Sequence, residues 1–179
     1  GVEFVTHYDA YPPHVHRDRW QYVYPDDGDT IDGEITVKLG TAEQMCDPAS
    51  IAQRGHAWDK GGAEVAALEL VFAEMPPGMG ESWVRDETYH SITLEQLLSL
   101  PHRTFPLAVP QPLRIVCPLN WEPIDPSGWN DGYYLVAFVT TDSFGNRGIA
   151  SFDHHHVLGH NTNPQHWRIV TNNHVYYGP

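Results

Sequence analysis

Lysine is nearly absent from this sequence. Only Lys38 and Lys60 occur among 179 residues, and ten basic residues face 23 acidic ones, for a net charge of −13. Such a surface repels nucleic-acid phosphates and anionic lipid headgroups, which argues against both as partners and leaves cations and basic protein surfaces. No apolar run reaches the length that crosses a bilayer, so no transmembrane segment is expected. Cysteine is scarce too. Cys46 and Cys117 lie far apart; in an exported protein they pair and close a long loop, stabilising by roughly 3–5 kcal/mol in the chain-entropy model, whereas in a cytosolic protein they are two unrelated thiols. The Pro- and Gly-rich, Lys-poor composition leans towards export, and an opening Gly1 in place of methionine fits either processing after export or a trimmed terminus. Catalytic signatures are also missing. There is no G-x-S-x-G, P-loop, H-E-x-x-H, C-x-x-C or haem-attachment C-x-x-C-H, hence no nucleotide or haem motif, and Asp86-Glu87 are adjacent rather than convergent carboxylates.

What is present is period-two alternation. In Glu34–Leu39, Ile35, Val37 and Leu39 fall on one face and polar residues on the other. Leu68, Leu70 and Phe72 alternate in the same way, as do Leu113, Ile115 and Cys117. The run Gly132–Thr141 is apolar on both faces, which predicts a central strand covered on each side. Gly-Ile-Ala-Ser-Phe and Trp-Arg-Ile-Val-Thr are shorter strand candidates. Turn chemistry separates these runs at Pro25–Asp29, Asp59–Gly62, Pro76–Gly80, Asp125–Gly128 and Ser143–Asn146. Many short strands and frequent turns predict an all-β antiparallel sandwich. One short helix is expected: Thr93 and Gln96 have capping-box spacing, Pro101 follows the end, and Leu94, Leu97 and Leu98 would face the sheet.

The order of these pieces resembles the bacterial immunoglobulin-like domains of exported and surface proteins. The residues that carry the likeness are the Pro-Asp-Asp-Gly turn, the Gly33-Glu-Ile-Thr-Val strand, and a closing stretch through Asp131, Gly132, Tyr134, Val136, Phe138, Thr141, Asp142, Gly145 and Asn146. The spacing of that closing stretch is shifted by about one residue in places. The resemblance implies an immunoglobulin-like β-sandwich over residues 24–152, with insertions at 41–62 and 83–112, an N-terminal arm of residues 1–23 and a His-rich C-terminal arm of residues 153–179. It implies an extracellular, cell-surface or periplasmic setting and no catalytic residue, since such domains act as spacers, adhesins and accessory modules.

Histidine is the other abundance. His14 and His16 alternate on a candidate strand, which sets them about 7 Å apart on one face, and His154 and His156 repeat the pattern, with His160, His166 and Asp153 at hand. Neutral imidazoles suit zinc or copper, so His14, His16, His154, His156 and His160 form one candidate metal set, requiring the two arms to converge. The His-Val-His run also occurs in copper–zinc superoxide dismutases, but the Arg-Asp-Arg-Trp that follows it here does not match them. Solvated decoration and a pH-responsive surface are the competing readings, because twelve histidines titrating near pH ~6.5 would cut the negative charge on mild acidification.

Two further sets have both a functional and a structural reading. Asp26, Asp27 and Asp29 offer hard oxygens for calcium, against an ordinary Asx-bonded turn without EF-hand spacing. Trp121, Trp129 and Tyr133 offer a stacking platform for a carbohydrate if exposed, against a place in the core. The sequence therefore points first to a non-catalytic binding or assembly module of an exported or cell-surface complex, its arms packing on neighbouring subunits or domains. A copper- or zinc-binding protein and a carbohydrate-binding module stand as alternatives.

Overall fold

The strand that is apolar on both faces organises the molecule. The computed structural model describes residues 14–16, 23–39, 56–58, 63–109, 111–112, 115–116, 119–150 and 163–171. The strands among them are β1 (His14–His16), β2 (Val23–Tyr24), β3 (Thr30–Ile31), β4 (Lys38–Leu39), β5 (His56–Trp58), β6 (Val65–Glu74), β7 (His102–Leu107), β8 (Ile115–Val116), β9 (Leu119–Asn120), β10 (Gly132–Asp142), β11 (Arg147–Ile149) and β12 (Gln165–Ile169). Between β6 and β7 lie α1 (Gly80–Arg85), a 3-10 turn (Thr88–Ser91) and α2 (Leu94–Ser99).

β10 lies at the centre of the main sheet, whose order is β3-β12-β10-β6-β7, with β11 also on β10. Its residues Leu135 to Val139 are almost fully buried. Tyr134, Val136 and Phe138 face one apolar cluster, and Leu135, Ala137 and Val139 face another. β10 pairs antiparallel with β6, β11 and β12, and β6 antiparallel with β7, but β12 and β3 run parallel. The chain is thus mostly β, built on an open mixed sheet rather than the purely antiparallel one expected. Local alternation records which residues are buried but not the direction in which two strands pair.

The first face carries the larger core. Phe72 meets Phe105, Trp129 and Trp167 edge-on, with centroids 5.6, 5.2 and 5.5 Å away. Ile35 and Val37 on one segment, and Leu119, Trp121 and Ile124 on another, close over these rings. The two segments run antiparallel, joined by reciprocal Ile35–Ile124 main-chain hydrogen bonds of 2.8 and 2.9 Å and continued in the ladder β2-β4-β9. A second small ladder has the order β1-β5-β8.

The helical turns cover the opposite face. α2 begins as expected: the Thr93 hydroxyl accepts from the Gln96 N–H at 3.1 Å, and the Gln96 side chain accepts from the Thr93 N–H at 2.9 Å. Leu97 is fully buried, with Leu94 and Leu98 packed beside it. At about two turns, α2 depends on this packing more than on propensity. α1 and the 3-10 turn were not expected; they bring Trp83, Val84 and Tyr89 to the same cluster.

Two segments assigned outside the sandwich belong to the main sheet. Gln165–Ile169, placed in a C-terminal arm, is β12, inserted between β3 and β10 with Trp167 and Ile169 fully buried. His102–Leu107, placed in an insertion, is β7, paired along β6. The edge of β10 is divided, since β12 covers Gly132–Val136 and β11 covers Val139–Thr141. Asn163 bridges the gap. Its side chain accepts from the Phe138 N–H at 3.0 Å and donates to the carbonyls of Phe138 and Ala150 at 3.1 and 2.6 Å. One amide thereby satisfies buried main-chain groups that a missing strand residue would otherwise serve.

Candidate functional site

Three connections meet at one end of the sheet and leave a cleft between them. β6 ends at Glu74, and the Met75–Met79 turn leads into α1; Leu100 and Pro101 lead into β7; Asn130–Gly132 open β10. The cleft encloses about 760 Å³, a usual size for a ligand seat. Pro76, Pro77, Leu100, Pro101 and the Tyr133 ring supply apolar walls, while Glu74, Glu81, Asn130 and Asp131 supply polar groups. A smaller recess of about 380 Å³ shares Glu74, Pro101 and Asn130 with it and adds His102 and Arg103.

The walls are fixed by packing and hydrogen bonds. Glu74 Oε1 accepts from the Asn130 side-chain amide at 2.9 Å and from the Tyr134 hydroxyl at 3.3 Å. The Tyr134 hydroxyl also donates to the Asn130 carbonyl at 2.6 Å, which ties the start of β10 to its own approach turn. Burial, with the Glu74 carboxylate beside it, pushes the Tyr134 phenol above its ordinary range, so it remains a neutral donor. Tyr133 is pinned between Arg168, whose guanidinium lies 5.6 Å from the ring centroid, and Gly80, where any Cβ would collide with the ring. Arg103 stacks 4.6 Å over Trp129 at the back of the smaller recess. Among the described residues, the main cleft therefore carries carboxylates and no basic side chain on its walls.

A second cluster joins three distant segments. Asp27 Oδ1 lies 2.8 Å from the His166 main-chain N–H and 3.0 Å from His166 Nδ1. The Tyr89 hydroxyl lies 2.9 Å from the same Nδ1 and donates to Asp27 Oδ2 at 3.4 Å. Burial pushes the Asp27 carboxyl up, but hydrogen bonds from the His166 side chain and main chain, with the His166 and His90 charges, outweigh it and hold the carboxyl below the ordinary carboxylate range. Burial, and then Asp27, raise the Tyr89 phenol. Gly28, at φ +89°, lets the turn lie flat against β12, and its N–H donates to the His166 carbonyl at 2.8 Å. This arrangement anchors the turn to the sheet, because the carboxylate is spent on a main-chain donor and on two side chains that hold each other.

Several of the residues singled out in the sequence have a place in the described part of the fold. Asp27 serves His166 and Tyr89, and Asp29 accepts from the Asp26 N–H at 2.9 Å, so Asp26, Asp27 and Asp29 belong to one hydrogen-bonded turn. Trp121 and Trp129 are core residues at 4% and 6% exposure, which removes both from any exposed platform; the Trp121 Nε1–H donates inward to the Phe105 carbonyl at 2.9 Å. Tyr133 alone of that trio reaches a cleft. His14 and His16 lie in β1. His154, His156, His160, Cys46 and Cys117 fall outside the described residues. Among the described side chains, no His, Cys, Asp and Glu groups gather in threes to hold a metal ion, and among the described residues no helix is long and apolar enough to cross a membrane. Glu74, Glu81 and Asn130 were not singled out, since they lie at a strand end, in the first turn of a short helix and in a loop, none with a motif. The one local signal was the density of Pro and Gly around them. Comparison with family models, with curated proteins and with solved structures found no match.

Proposed function

We propose that this chain is a non-catalytic recognition module of an exported or cell-surface assembly, and that it receives a basic segment of a partner protein in the cleft beside Glu74. The cleft carries this reading. Its proline and tyrosine walls suit the aliphatic stem of an arginine or lysine, and Glu74 and Glu81 suit the cationic head. The net charge of −13 steers the same class of partner towards the molecule.

The scaffold is proposed to be an immunoglobulin-like sandwich. In that fold the order β12-β10-β6-β7 would be the G-F-C-C′ sheet, with β3 on β12 as a leading strand beside the last one. The Tyr134 hydroxyl bonded to the Asn130 carbonyl has the form of a tyrosine corner at the start of the F strand, which favours the same assignment. Ile35, Val37, Leu119, Trp121 and Ile124 would then belong to the opposing sheet.

An isotope-edited NMR titration with an arginine tetrapeptide, and with a glutamate tetrapeptide as control, tests the proposal. Amide shifts should concentrate in residues 74–81 and 130–134, saturate with the arginine peptide and be missing with the glutamate peptide. Shifts elsewhere only, or equal shifts with both peptides, would overturn it.

A further inference from the structure

The pairing of β1 with β5 brings together histidines that are remote in sequence. His16 stands directly opposite His56, and His14 stands opposite Trp58. Directly opposed residues of an antiparallel pair share one face of the ladder, and so do residues two apart on a strand. His14, His16 and His56 therefore occupy a single face across two neighbouring strands. Ladder geometry sets His16 and His56 about 4.5–5.5 Å apart at Cα, and His14 about 7 Å from His16 along the strand. β5 is the middle strand of its ladder, with Ala57 and Trp58 paired to β8 on the other side.

We propose that His14, His16 and His56 form a three-imidazole site for a divalent transition-metal ion, zinc first. A pair of alternate histidines on one strand and a third on its neighbour place three imidazole-bearing residues on one side of a β-ladder. Three protein ligands leave a fourth position of a tetrahedral ion open to water or a ligand. Imidazole donors favour zinc and copper over magnesium or calcium, which take oxygen ligands. A strongly acidic chain also concentrates cations near its surface. This set differs from the one expected from the two chain ends, because it needs none of His154, His156 or His160 and no convergence of arms. It is independent of the cleft beside Glu74.

The test uses the full chain purified without an affinity tag, stripped with chelator, and titrated with Co(II) and then with Zn(II) in competition. The proposal expects a saturable cobalt spectrum in the visible range that zinc abolishes, that is lost in His56→Ala, and that persists in His154→Ala/His156→Ala. A His56→Cys variant guards against mere misfolding of the alanine protein. It should gain a near-ultraviolet thiolate-to-cobalt charge-transfer band missing from the wild type. Cobalt binding unchanged in His56→Ala, binding lost in the His154→Ala/His156→Ala protein, or no saturable binding by the wild type would each overturn the assignment.

Discussion

Asp27 is the residue whose environment is most sharply defined. Its carboxylate is only 12% exposed at the side chain and holds the main chain of β12 and the rings of His166 and Tyr89 together. Losing such charge-assisted bonds costs about 1–3 kcal/mol, so Asp27→Asn should lower unfolding free energy by that order. The sign with pH follows from the depressed carboxyl. Its contribution is complete above the unfolded carboxylate pKa of about 4 and is lost as the pH falls through the lower folded value. The stability difference between wild type and Asp27→Asn, measured by urea unfolding over a pH series, should be constant at mildly acidic pH and shrink below about 4. A difference that stays constant through that acid range would refute the role. None of this was legible locally. The Pro25–Asp29 turn was recognisable from its composition, but the partner that uses Asp27 arrives from β12, far along the chain.

The elements differ in how plainly the sequence displays them. α2 was legible because both of its signals are local: the Thr93–Gln96 box and the leucines at helical spacing. Thr93→Ala should cost about 0.5–2 kcal/mol by removing the cap. Leu97→Ala should cost about 2–5 kcal/mol through the cavity left beneath β10. Chemical denaturation of the two variants checks both values, and equal losses would contradict the division between cap and core. α1 was hidden behind the Pro-Pro-Gly turn that precedes it, and it has no fully buried residue to create a stripe. β10 announced itself through burial on both faces, whereas β12 read as a strand whose neighbours were unknown. Pairing is a long-range property, and Asn163, which joins the two halves of the β10 edge, has no sequence signature beyond a turn-forming Asn-Pro. Gly80 links an element to the cleft. Gly80→Ala should displace the Tyr133 ring and weaken binding there, with a smaller effect on stability than Leu97→Ala.

At the scale of the molecule, charge and topology point the same way. The helical turns cover one face of the sheet, the large aromatic core covers the other, and the carboxylate-lined cleft opens at the end where β6, β7 and β10 meet. The acidity was readable from composition, but its focus at Glu74 and Glu81 was not, because the cleft they line is closed by Asn130–Tyr134, which return beside the end of β6 from far along the chain. Aromatic content was ambiguous for the same reason: the sequence leaves Trp121 and Trp129 either exposed or in the core, and the fold buries both. The proposed function rests on two carboxylates in this cleft that would receive a cationic segment. Isothermal titration of an arginine tetrapeptide into wild type and into Glu74→Gln/Glu81→Gln is the decisive test. The glutamine amide that replaces the Glu74 carboxylate would keep an oxygen for the Asn130 and Tyr134 bonds. The double variant should bind at least roughly tenfold more weakly, about 1.4 kcal/mol, while unfolding like wild type. Equal affinity for both proteins would contradict it.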